Sequence, residues 1–322
     1  MRVGCNYPWP WNAYGTYFGN GDLASWTAGL DDNLGRLRDL GVEVVRIFLM
    51  GNAWSYGRLD GQVFTPGESD PALRAQLEAM LAAFQKRDVA AIPSLIDFKG
   101  FQGPAGTKGY GGRAAMIADA AARAGFFDSV FEPLLQASES YRGAVYAWEV
   151  MNEPAWCMLN PFAEGTSAVR AFLEEGLARV AAHNFSSTVG HRFARDLERL
   201  PTGSIRQFHY YPRTGLKAWL PLTEQPLAAH VDTQAILGEF ATRLDSSQGD
   251  LWPELPTAAQ RDPARAVVER LRVVEGKGYG LALLWPDLDG APVGPADPLK
   301  LSAEVAGGLR EYTGGAAKGG VG

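Results

Sequence analysis

The sequence contains few cysteines and histidines, and this scarcity limits the chemistry that it can support. Only two cysteines, Cys5 and Cys157, and four histidines occur in 322 residues. Two cysteines so far apart are more often free thiols than a disulfide, although one end of a barrel could bring them together. No histidines form a close pair of the kind that zinc and iron sites use. We therefore predict no metal and no other cofactor.

The chain also lacks a surplus of basic residues and any long apolar run. Its formal net charge is −6, and no cluster of lysine and arginine occurs. Since phosphate contacts need a basic face, we predict that nucleic acid is not a partner. No stretch reaches the roughly 18 apolar residues of a membrane span, and the first residues form no apolar signal segment. These patterns predict no membrane partner and a cytoplasmic location for the chain as given, although a secreted protein without its signal would have the same pattern.

What the sequence does contain is a repeated alternation of strand-like and helix-like segments. Eight apolar runs are strand candidates, namely residues 3–7, 42–50, 89–97, 145–152, 187–191, 205–211, 235–240 and 281–285. Helical patterns cover residues 30–40, 71–87, 113–141, 166–183, 263–276 and 302–312. Most of the strand runs are continuously apolar, as burial on both faces requires.

This alternation indicates a parallel sheet with crossover helices. Eight strands in a chain of this length predict a (β/α)8 TIM barrel, with an open doubly wound sheet as the alternative. Residues 1–313 would form one catalytic domain. The glycine-rich segment 314–322 would be a flexible C-terminal tail.

Two of the predicted strands carry a glutamate near their carboxyl ends. Residues 147–154 read Ala-Trp-Glu-Val-Met-Asn-Glu-Pro, and residues 235–241 read Ala-Ile-Leu-Gly-Glu-Phe-Ala. Active sites of TIM barrels lie at the carboxyl ends of the strands, so we expect Glu153 and Glu239 to meet there. Glycoside hydrolysis needs two carboxyl groups flanking the scissile bond. The alternative is a pair of structural carboxylates.

Further polar and aromatic residues lie at the same strand ends. They are Arg46, Asn152, His209, Tyr211 and Trp285. Together with these residues, the motif Trp-Glu-x-x-Asn-Glu-Pro at 148–154 resembles clan A of the glycoside hydrolases, nearest to the family five cellulases and mannanases. The resemblance spans essentially the whole barrel and implies a carbohydrate substrate.

The resemblance also implies roles for individual residues. Glu153 would be the acid/base, with a pKa raised by desolvation and by the second carboxylate. Glu239 would be the nucleophile of a retaining mechanism, which implies a carboxyl separation of roughly 5 to 5.5 Å and a covalent glycosyl-enzyme intermediate. Asn152 would bind the sugar 2-OH. Arg46 would keep Glu239 ionised.

Three more residues receive roles in the same way. Tyr211 would donate to the nucleophile, His209 would lie near the acid/base, and Trp285 would form an aromatic floor under the sugar. Arg46 could instead form a structural ion pair, His209 could be a satisfied core histidine, and the two aromatic residues could serve barrel packing. Glu149 lies four residues deeper than the acid/base, and we interpret it as a buried partner of Arg46.

The chain departs from the family pattern in two places. Asp97 and Lys99 follow strand three, where family five enzymes usually carry a histidine. The pair could bind an unusual sugar hydroxyl or acid group, or it could anchor the loop at residues 100–112. A second departure is a group of aromatic residues that could line a cleft or cover the rim, with Trp9, Trp11, Trp54 and Trp156 as candidates for sugar contact.

The sequence therefore predicts a retaining hydrolase of a β-linked glycoside or polysaccharide. Endo-acting attack on β-mannan or β-glucan competes with exo-acting cleavage of a small glycoside, including arabinosides and galactofuranosides. Transglycosylation remains open, because it differs only in what intercepts the intermediate. Two other classes remain as well: a catalytically silent barrel that binds saccharide through Trp9, Trp11 and Trp285, and a metal-dependent hydrolase.

Overall fold

Eight parallel strands form the wall of a barrel in the computed structural model. It describes residues 1–8, 23–50, 58–60, 63–65, 71–101, 114–158, 165–212, 227, 232–242, 251–288 and 299–314. The barrel strands are β1 Arg2–Tyr7, β2 Val44–Met50, β3 Ala90–Asp97, β4 Trp148–Asn152, β5 Ser187–Gly190, β6 Gln207–His209, β7 Ile236–Phe240 and β8 Leu281–Leu284. A separate antiparallel hairpin pairs Arg58–Asp60 with Val63–Thr65.

The strands pair in the order in which they occur along the chain. The sheet runs β5-β4-β3-β2-β1-β8-β7-β6, and its neighbours are parallel. An isolated bridge between His191 and Phe208 links β5 to β6, and the His209 N–H donates to the His191 carbonyl at 2.8 Å. This closure confirms the (β/α)8 TIM barrel and excludes the open doubly wound sheet, in which the strand order reverses.

Helices follow the strands and cover the outside of the barrel. The α-helices are α1 Leu23–Asp39, α2 Pro71–Lys86, α3 Ala114–Ala118, α4 Ala120–Phe126, α5 Glu132–Ser138, α6 Ala155–Met158, α7 Gly165–Ala182, α8 Thr257–Gln260, α9 Pro263–Gly276 and α10 Ala303–Thr313. Short 3-10 segments occur at Phe98–Phe101, Glu139–Ala144 and Ala194–Glu198. Among the described helices, none is both long and apolar enough to cross a membrane.

One predicted helix is divided in the structure. The pattern over 113–141 becomes α3, α4, a π-helical segment at Phe127–Phe131, α5 and a 3-10 turn. Asp119 causes the first break, because its backbone is extended and its side chain accepts a hydrogen bond from the Ala122 N–H at 2.7 Å. An aspartate with this geometry starts a new helix rather than continuing the old one.

The inside of the barrel has an apolar layer beneath a polar one. Along β2, β3 and β4, side chains two residues apart point to the same face. Arg46, Ser94 and Glu149 converge by hydrogen bonding, so they face the barrel interior. The residues two positions earlier, Val44, Ile92 and Ala147, belong to a small buried apolar cluster. Its other members are Ile205, Ile236, Leu281 and Leu283. The apolar layer therefore closes the amino-terminal end of the barrel and supports the polar layer above it.

The two cysteines do not form a disulfide. Cys5 and Cys157 are both buried free thiols. Burial raises the pKa of each thiol well above its ordinary value, so both remain neutral and unreactive at physiological pH. The cysteines therefore serve packing in this barrel.

Adjacent glycines in α10 provide a test of the packing between α9 and α10. A Cβ on buried Gly308 would lie 2.3 Å from the Ala264 carbonyl oxygen, whereas a Cβ on exposed Gly307 would meet no atom within 4 Å. We expect Gly308→Ala to lower the free energy of unfolding by about 1–3 kcal/mol through overpacking. Gly307→Ala is the matched control and should raise it by up to about 1 kcal/mol. Urea denaturation of the two variants would show the difference, and equal effects would contradict the close helix contact.

Candidate active site

Arg46 on β2 lies at the centre of the polar layer and forms its strongest contacts with two glutamates. Its Nε and Nη2 donate to the two carboxylate oxygens of Glu149 at 2.7 and 2.6 Å. Its Nη1 donates to Glu239 Oε1 at 2.7 Å. The planar guanidinium matches one carboxylate with two parallel hydrogen bonds and still has donors for the second. The interpretation of Glu149 as the buried partner of Arg46 is thus consistent with the geometry.

The remaining donors of Arg46 bind two amides. Nη1 donates to Asn6 Oδ1 at 2.9 Å, and Nη2 donates to Asn152 Oδ1 at 2.6 Å. Ser94 Oγ and Gln207 Nε2 each donate to Glu149 at 2.6 Å. Sequence reasoning did not identify Asn6, Ser94 or Gln207, although each is a polar residue in or beside a predicted strand, which was the available signal.

The charge of Arg46 is retained in spite of complete burial. Burial alone would lower its pKa, but the charges and hydrogen bonds of Glu149 and Glu239 raise it above the ordinary arginine value. A buried ion pair needs this degree of hydrogen bonding to offset the loss of hydration. The guanidinium also lies over the Phe48 ring, with 4.5 Å between the guanidinium carbon and the ring centroid. Arg46 is therefore a fixed positive charge beneath the site.

A glycine on β5 gives the guanidinium its space. A Cβ on Gly190 would lie 2.9 Å from Arg46 Nη2 and 3.1 Å from an oxygen of Glu149. Any larger residue at this position would push the arginine out of the barrel axis. The end of β5 thus contributes to the site by having no side chain.

Glu239 on β7 accepts hydrogen bonds on both oxygens. Besides the Arg46 contact on Oε1, the Tyr211 hydroxyl donates to Oε2 at 2.9 Å. The Glu239 side chain is 7% exposed. Two donors on different elements fix the carboxylate in one orientation at the mouth of the barrel.

Glu153 follows β4 and has a backbone conformation that is rare for glutamate. Its φ is 49°, in the left-handed region, and its N–H donates to the Gly190 carbonyl at 2.7 Å. The β4–β5 pairing shifts register between Glu149 and Asn152, just before this residue. Such strain concentrates where a functional side chain must be aimed away from its strand. Sequence reasoning located the residue, but not this conformation.

The Glu153 carboxylate has two neighbours at the rim. Trp156 Nε1 donates to Oε2 at 2.8 Å, and His209 Nδ1 lies 2.9 Å from Oε1. His209 Nδ1 is also 3.4 Å from Glu239 Oε2, so the imidazole lies between the two carboxyl groups. A nitrogen of His209 and one oxygen from each glutamate all lie within 4.8 Å of one another. The residues expected to meet at the strand ends do lie together.

The pKa values of the two glutamates are shifted in opposite directions. Burial raises the pKa of Glu239, and the charge of Glu153 raises it further. His209 and Arg46 lower it, but the pKa of Glu239 stays above the ordinary glutamate value. Burial also acts to raise the pKa of Glu153, but His209, Arg192 and Trp156 outweigh it, and the result is below the ordinary value. This order is the reverse of the one expected from sequence, because His209 lies closer to Glu153. The charge of Glu153 contributes to the pKa of Glu239, so the two carboxyl groups do not ionise independently.

The same cluster is where a cation could be bound among the described residues. Glu153, His209 and Glu239 offer ligand atoms at suitable mutual distances. However, the guanidinium of Arg46 lies 2.7 Å from Glu239, and Tyr211 and Trp156 already donate to carboxylate oxygens of the cluster. A positive charge so close disfavours a second cation. The donors suit proton transfer better than metal binding, and the absence of a metal remains a prediction.

Asn152 and Asp97 form the edge of the polar layer. Asn152 Nδ2 donates to Asp97 Oδ2 at 2.6 Å, and the Lys99 backbone N–H donates to Asp97 Oδ1 at 2.8 Å. Asp97 is completely buried, whereas Lys99 is partly exposed on the turn Phe98–Phe101. Asp97 thus holds the start of the turn Phe98–Phe101, while residues 102–112 of the loop that it was expected to anchor lie outside the described residues. Among the described residues, Oδ1 and Nδ2 of Asn152 each keep capacity for one more hydrogen bond, and its contact with a sugar 2-OH stays a prediction.

Of the aromatic candidates, the structure describes Trp285 and Trp156. Trp285 is 6% exposed and packs edge-on against Phe48 with 6.3 Å between ring centroids. Trp156 stacks on Phe98 at 5.8 Å and contacts the acid candidate Glu153. Trp9, Trp11 and Trp54 lie outside the described residues, so their roles stay predictions.

Arg192 also belongs to the site, and sequence reasoning did not identify it. It follows β5, and its guanidinium carbon lies 3.6 Å from the centroid of the Trp156 ring. Its charge lowers the pKa of Glu153. The available signal was its place directly after the fifth strand, since residues in that position of a TIM barrel face the active site.

Comparison with known proteins supports the fold. The sequence matches no protein-family model and no curated protein. Among solved structures, a β-mannanase from the blue mussel Mytilus edulis is similar over 97% of this chain and 92% of its own, with a TM-score of 0.68 and 16% identity. An endo-1,4-β-mannanase from Eisenia fetida matches over 98% and 91%, with a TM-score of 0.68 and 19% identity. An exo-β-1,4-mannosidase from Opitutaceae bacterium strain TAV5 matches over 97% and 59%, with a TM-score of 0.63 and 14% identity.

At these identities the likeness establishes a shared barrel fold. The chain is a (β/α)8 barrel with a buried arginine network and a glutamate pair at the carboxyl ends of its strands. The proteins that it resembles in structure include enzymes named for the cleavage of β-1,4-linked mannose. The likeness of fold agrees with the barrel that the sequence motifs predict.

The hydrogen bond from Tyr211 to Glu239 leads to a prediction about pH dependence. A reaction that needs ionised Glu239 loses rate as pH falls through the raised pKa of this group. Tyr211→Phe removes a donor that favours the charged form, so the pKa of Glu239 rises further and the acid limb of kcat/KM moves to higher pH. We expect a loss of roughly ten-fold or more on the acid side, the value of a hydrogen bond to a charged group.

The control for this prediction is the neighbouring Tyr210. Its hydroxyl donates to Glu254 at 2.8 Å, away from the glutamate pair. Tyr210→Phe should leave the acid limb in place, as pH profiles of both variants would reveal. An unmoved limb in Tyr211→Phe, or an equal shift in Tyr210→Phe, would contradict this assignment.

Proposed function

We propose that this protein is a retaining β-glycosidase in which Glu239 is the nucleophile and Glu153 is the acid/base. The observation that supports the proposal best is that one carboxyl oxygen of Glu153 and one of Glu239 lie within 4.8 Å of each other at the mouth of the barrel. Retaining enzymes hold their carboxyl groups roughly 5 to 5.5 Å apart, and inverting enzymes hold them roughly 6.5 to 9.5 Å apart. The short separation leaves no room for a water between carboxylate and sugar.

The division of roles follows from the donors around each carboxylate. Arg46 and Tyr211 fix both oxygens of Glu239, as attack along one direction on the anomeric carbon requires. Glu153 has the more exposed side chain, at 14% against 7%. It lies beside a rim where a leaving group could depart. The orientation of Glu239 and the exposure of Glu153 thus suit a nucleophile and an acid/base, respectively.

The first step would form a bond between a Glu239 oxygen and the anomeric carbon. The bond to the leaving-group oxygen breaks, and the proton of Glu153 passes to that oxygen. For this step the proton must reside on Glu153. In the structure, however, the pKa of Glu153 is lowered and that of Glu239 is raised. His209 lies within hydrogen-bonding reach of both carboxyl groups, so a small displacement toward Glu239 would exchange which of them it favours.

The second step would reverse the proton transfer. Once Glu239 is esterified, its charge is gone and the pKa of Glu153 falls, so Glu153 becomes the base that takes a proton from water. That water attacks the anomeric carbon and releases Glu239. The anomeric carbon of the product then has the same configuration as in the substrate. If a sugar hydroxyl takes the place of water, the product is a transglycosylation product.

The sugar most consistent with the comparisons is a β-mannoside. Solved structures with this fold include both endo-acting mannanases and an exo-acting mannosidase, so they do not separate the two modes of attack. Asn152 lies next to the acid/base and could bind the hydroxyl at carbon 2, whose orientation distinguishes mannose from glucose. We propose β-mannosides as the first substrates to test.

The proposal predicts the activity of a Glu239 variant on a sugar panel. Aryl β-glycosides and β-linked oligosaccharides of gluco, manno, galacto, xylo and arabino configuration should reveal a hydrolysed substrate, with manno favoured. Glu239→Gln should lower kcat roughly 10⁴-fold or more, because the nucleophile is lost. Glu78→Gln, on the outer face of α2, is the matched control and should keep full activity. Binding of oligosaccharides without any turnover would instead indicate a silent saccharide-binding barrel.

The role of Glu153 leads to a second, separate prediction. Glu153→Ala should greatly slow glycosides with a poor leaving group but spare dinitrophenyl glycosides, whose leaving group needs no proton. Azide should then accelerate the variant, because it attacks the intermediate without a general base, and the product should be a glycosyl azide. Steady-state kinetics with both leaving groups would test this. Equal losses on both substrates would refute the assignment of Glu153.

A further inference from the structure

A buried arginine beside the acid/base candidate has a terminal nitrogen that no described residue pairs. Arg192 is 6% exposed, and its Nη2 is enclosed without a hydrogen-bond partner among the described residues. The carboxylates that act on it through their charge are Glu153 and Asp196. Glu153 is bound by Trp156 and His209, and Asp196 accepts from the Phe193 N–H at 3.2 Å. Nη2 of the guanidinium therefore keeps N–H donors that the described residues leave unused.

Aromatic rings hold this guanidinium in place. Its carbon lies 3.6 Å from the centroid of Trp156 and 4.4 Å from that of Phe193. Contacts with ring faces stabilise a cation only in part, because they satisfy none of its N–H groups. A cation withdrawn from water without a partner is costly to a fold. A site that accepts this cost is prepared for an anion that arrives with a ligand.

The position of Arg192 relative to Glu153 indicates which part of the ligand carries the anion. Trp156 connects the two, since its ring contacts the guanidinium while its Nε1 donates to Glu153 Oε2 at 2.8 Å. In the proposed function, Glu153 protonates the oxygen of the leaving group. Groups on the Trp156 side of Glu153 therefore lie near the leaving group rather than near the sugar that becomes bound to Glu239.

We propose that Arg192 and Trp156 form a binding site for a carboxylate on the leaving group, so that the enzyme prefers glycosides whose aglycone or reducing-side sugar carries an acid. Nη2 of Arg192 would donate to its carboxylate, and the partly exposed Trp156 would border the same group. This inference rests on the proposed function, because the role of Glu153 decides that the anion lies on the leaving-group side of the cleaved bond. The binding of the anion itself does not depend on turnover.

Two nearly isosteric leaving groups test the proposal. They are 3-carboxyphenyl and 3-carbamoylphenyl glycosides of the sugar that the enzyme hydrolyses. We expect the wild type to prefer the carboxylate by roughly ten-fold or more in kcat/KM, the effect of one charge-assisted contact. Arg192→Met should bring the ratio close to one, and Arg192→Lys should keep part of it. Because a ratio is compared, a general effect of the variant on Glu153 cancels.

Arg195 provides the matched control. It is exposed and lies over the same Phe193 ring, at 4.9 Å from guanidinium carbon to centroid. Arg195→Met should keep the wild-type preference. A wild type without preference, or a preference that persists in Arg192→Met, would overturn the proposal.

A binding measurement separates this proposal from the proposed function. Calorimetry with 3-hydroxybenzoate and 3-hydroxybenzamide tests the anion site in the wild type whether or not any glycoside is hydrolysed. Binding of the carboxylate alone, lost in Arg192→Met, would support the anion site even if the glycosides are not turned over. Equal affinity for the acid and the amide in the wild type, or no binding of either, would refute it.

Discussion

The buried guanidinium of Arg46 is the contact on which the site depends. It lies between the structural carboxylate Glu149 and the nucleophile candidate Glu239, at 2.6 and 2.7 Å. Its charge compensates the carboxylates that the barrel removes from water, and its rigid fork sets their orientation. Gly190 leaves the space that the arginine fills. The candidate site is thus arranged around one buried cation inside the barrel.

Three layers follow from this arrangement. An apolar layer closes the barrel below, the Arg46 network occupies the middle, and the glutamate pair with His209 lies at the mouth. In the last layer, His209 Nδ1 lies 2.9 Å from Glu153 and 3.4 Å from Glu239. Arg46 anchors Glu239 from below, and in the proposed mechanism Glu153 is the group that transfers the proton. The strained φ of 49° at Glu153 aims its side chain back over the site.

Sequence reasoning predicted the fold well, because its signals are local. All eight strands appear within a few residues of their predicted bounds, and helix α9 occupies Pro263–Gly276 as expected from the proline and its capping Asp262. The meeting of Glu153 and Glu239 also followed from a general property of parallel barrels. The division of the helix after β3 was not predicted, because the helical pattern continues on both sides of the capping residue Asp119.

What sequence could not supply is the balance of interactions in three dimensions. The order of the two glutamate pKa values depends on His209 lying closer to Glu153 than to Glu239, a matter of a fraction of an ångström between side chains on different strands. The place of Asp97 within the core and the burial of Arg192 depend likewise on contacts between segments far apart in the chain.

The central claim is that the glutamate pair acts by double displacement, and the stereochemistry of the product tests it most directly. Proton NMR during hydrolysis of a turned-over β-glycoside identifies the anomer that is released first, before mutarotation. The geometry of Glu153 and Glu239 predicts the β-anomer, with the α-anomer appearing only later. Initial release of the α-anomer would mean inversion through a single displacement and would contradict the assignment of Glu239 as a nucleophile.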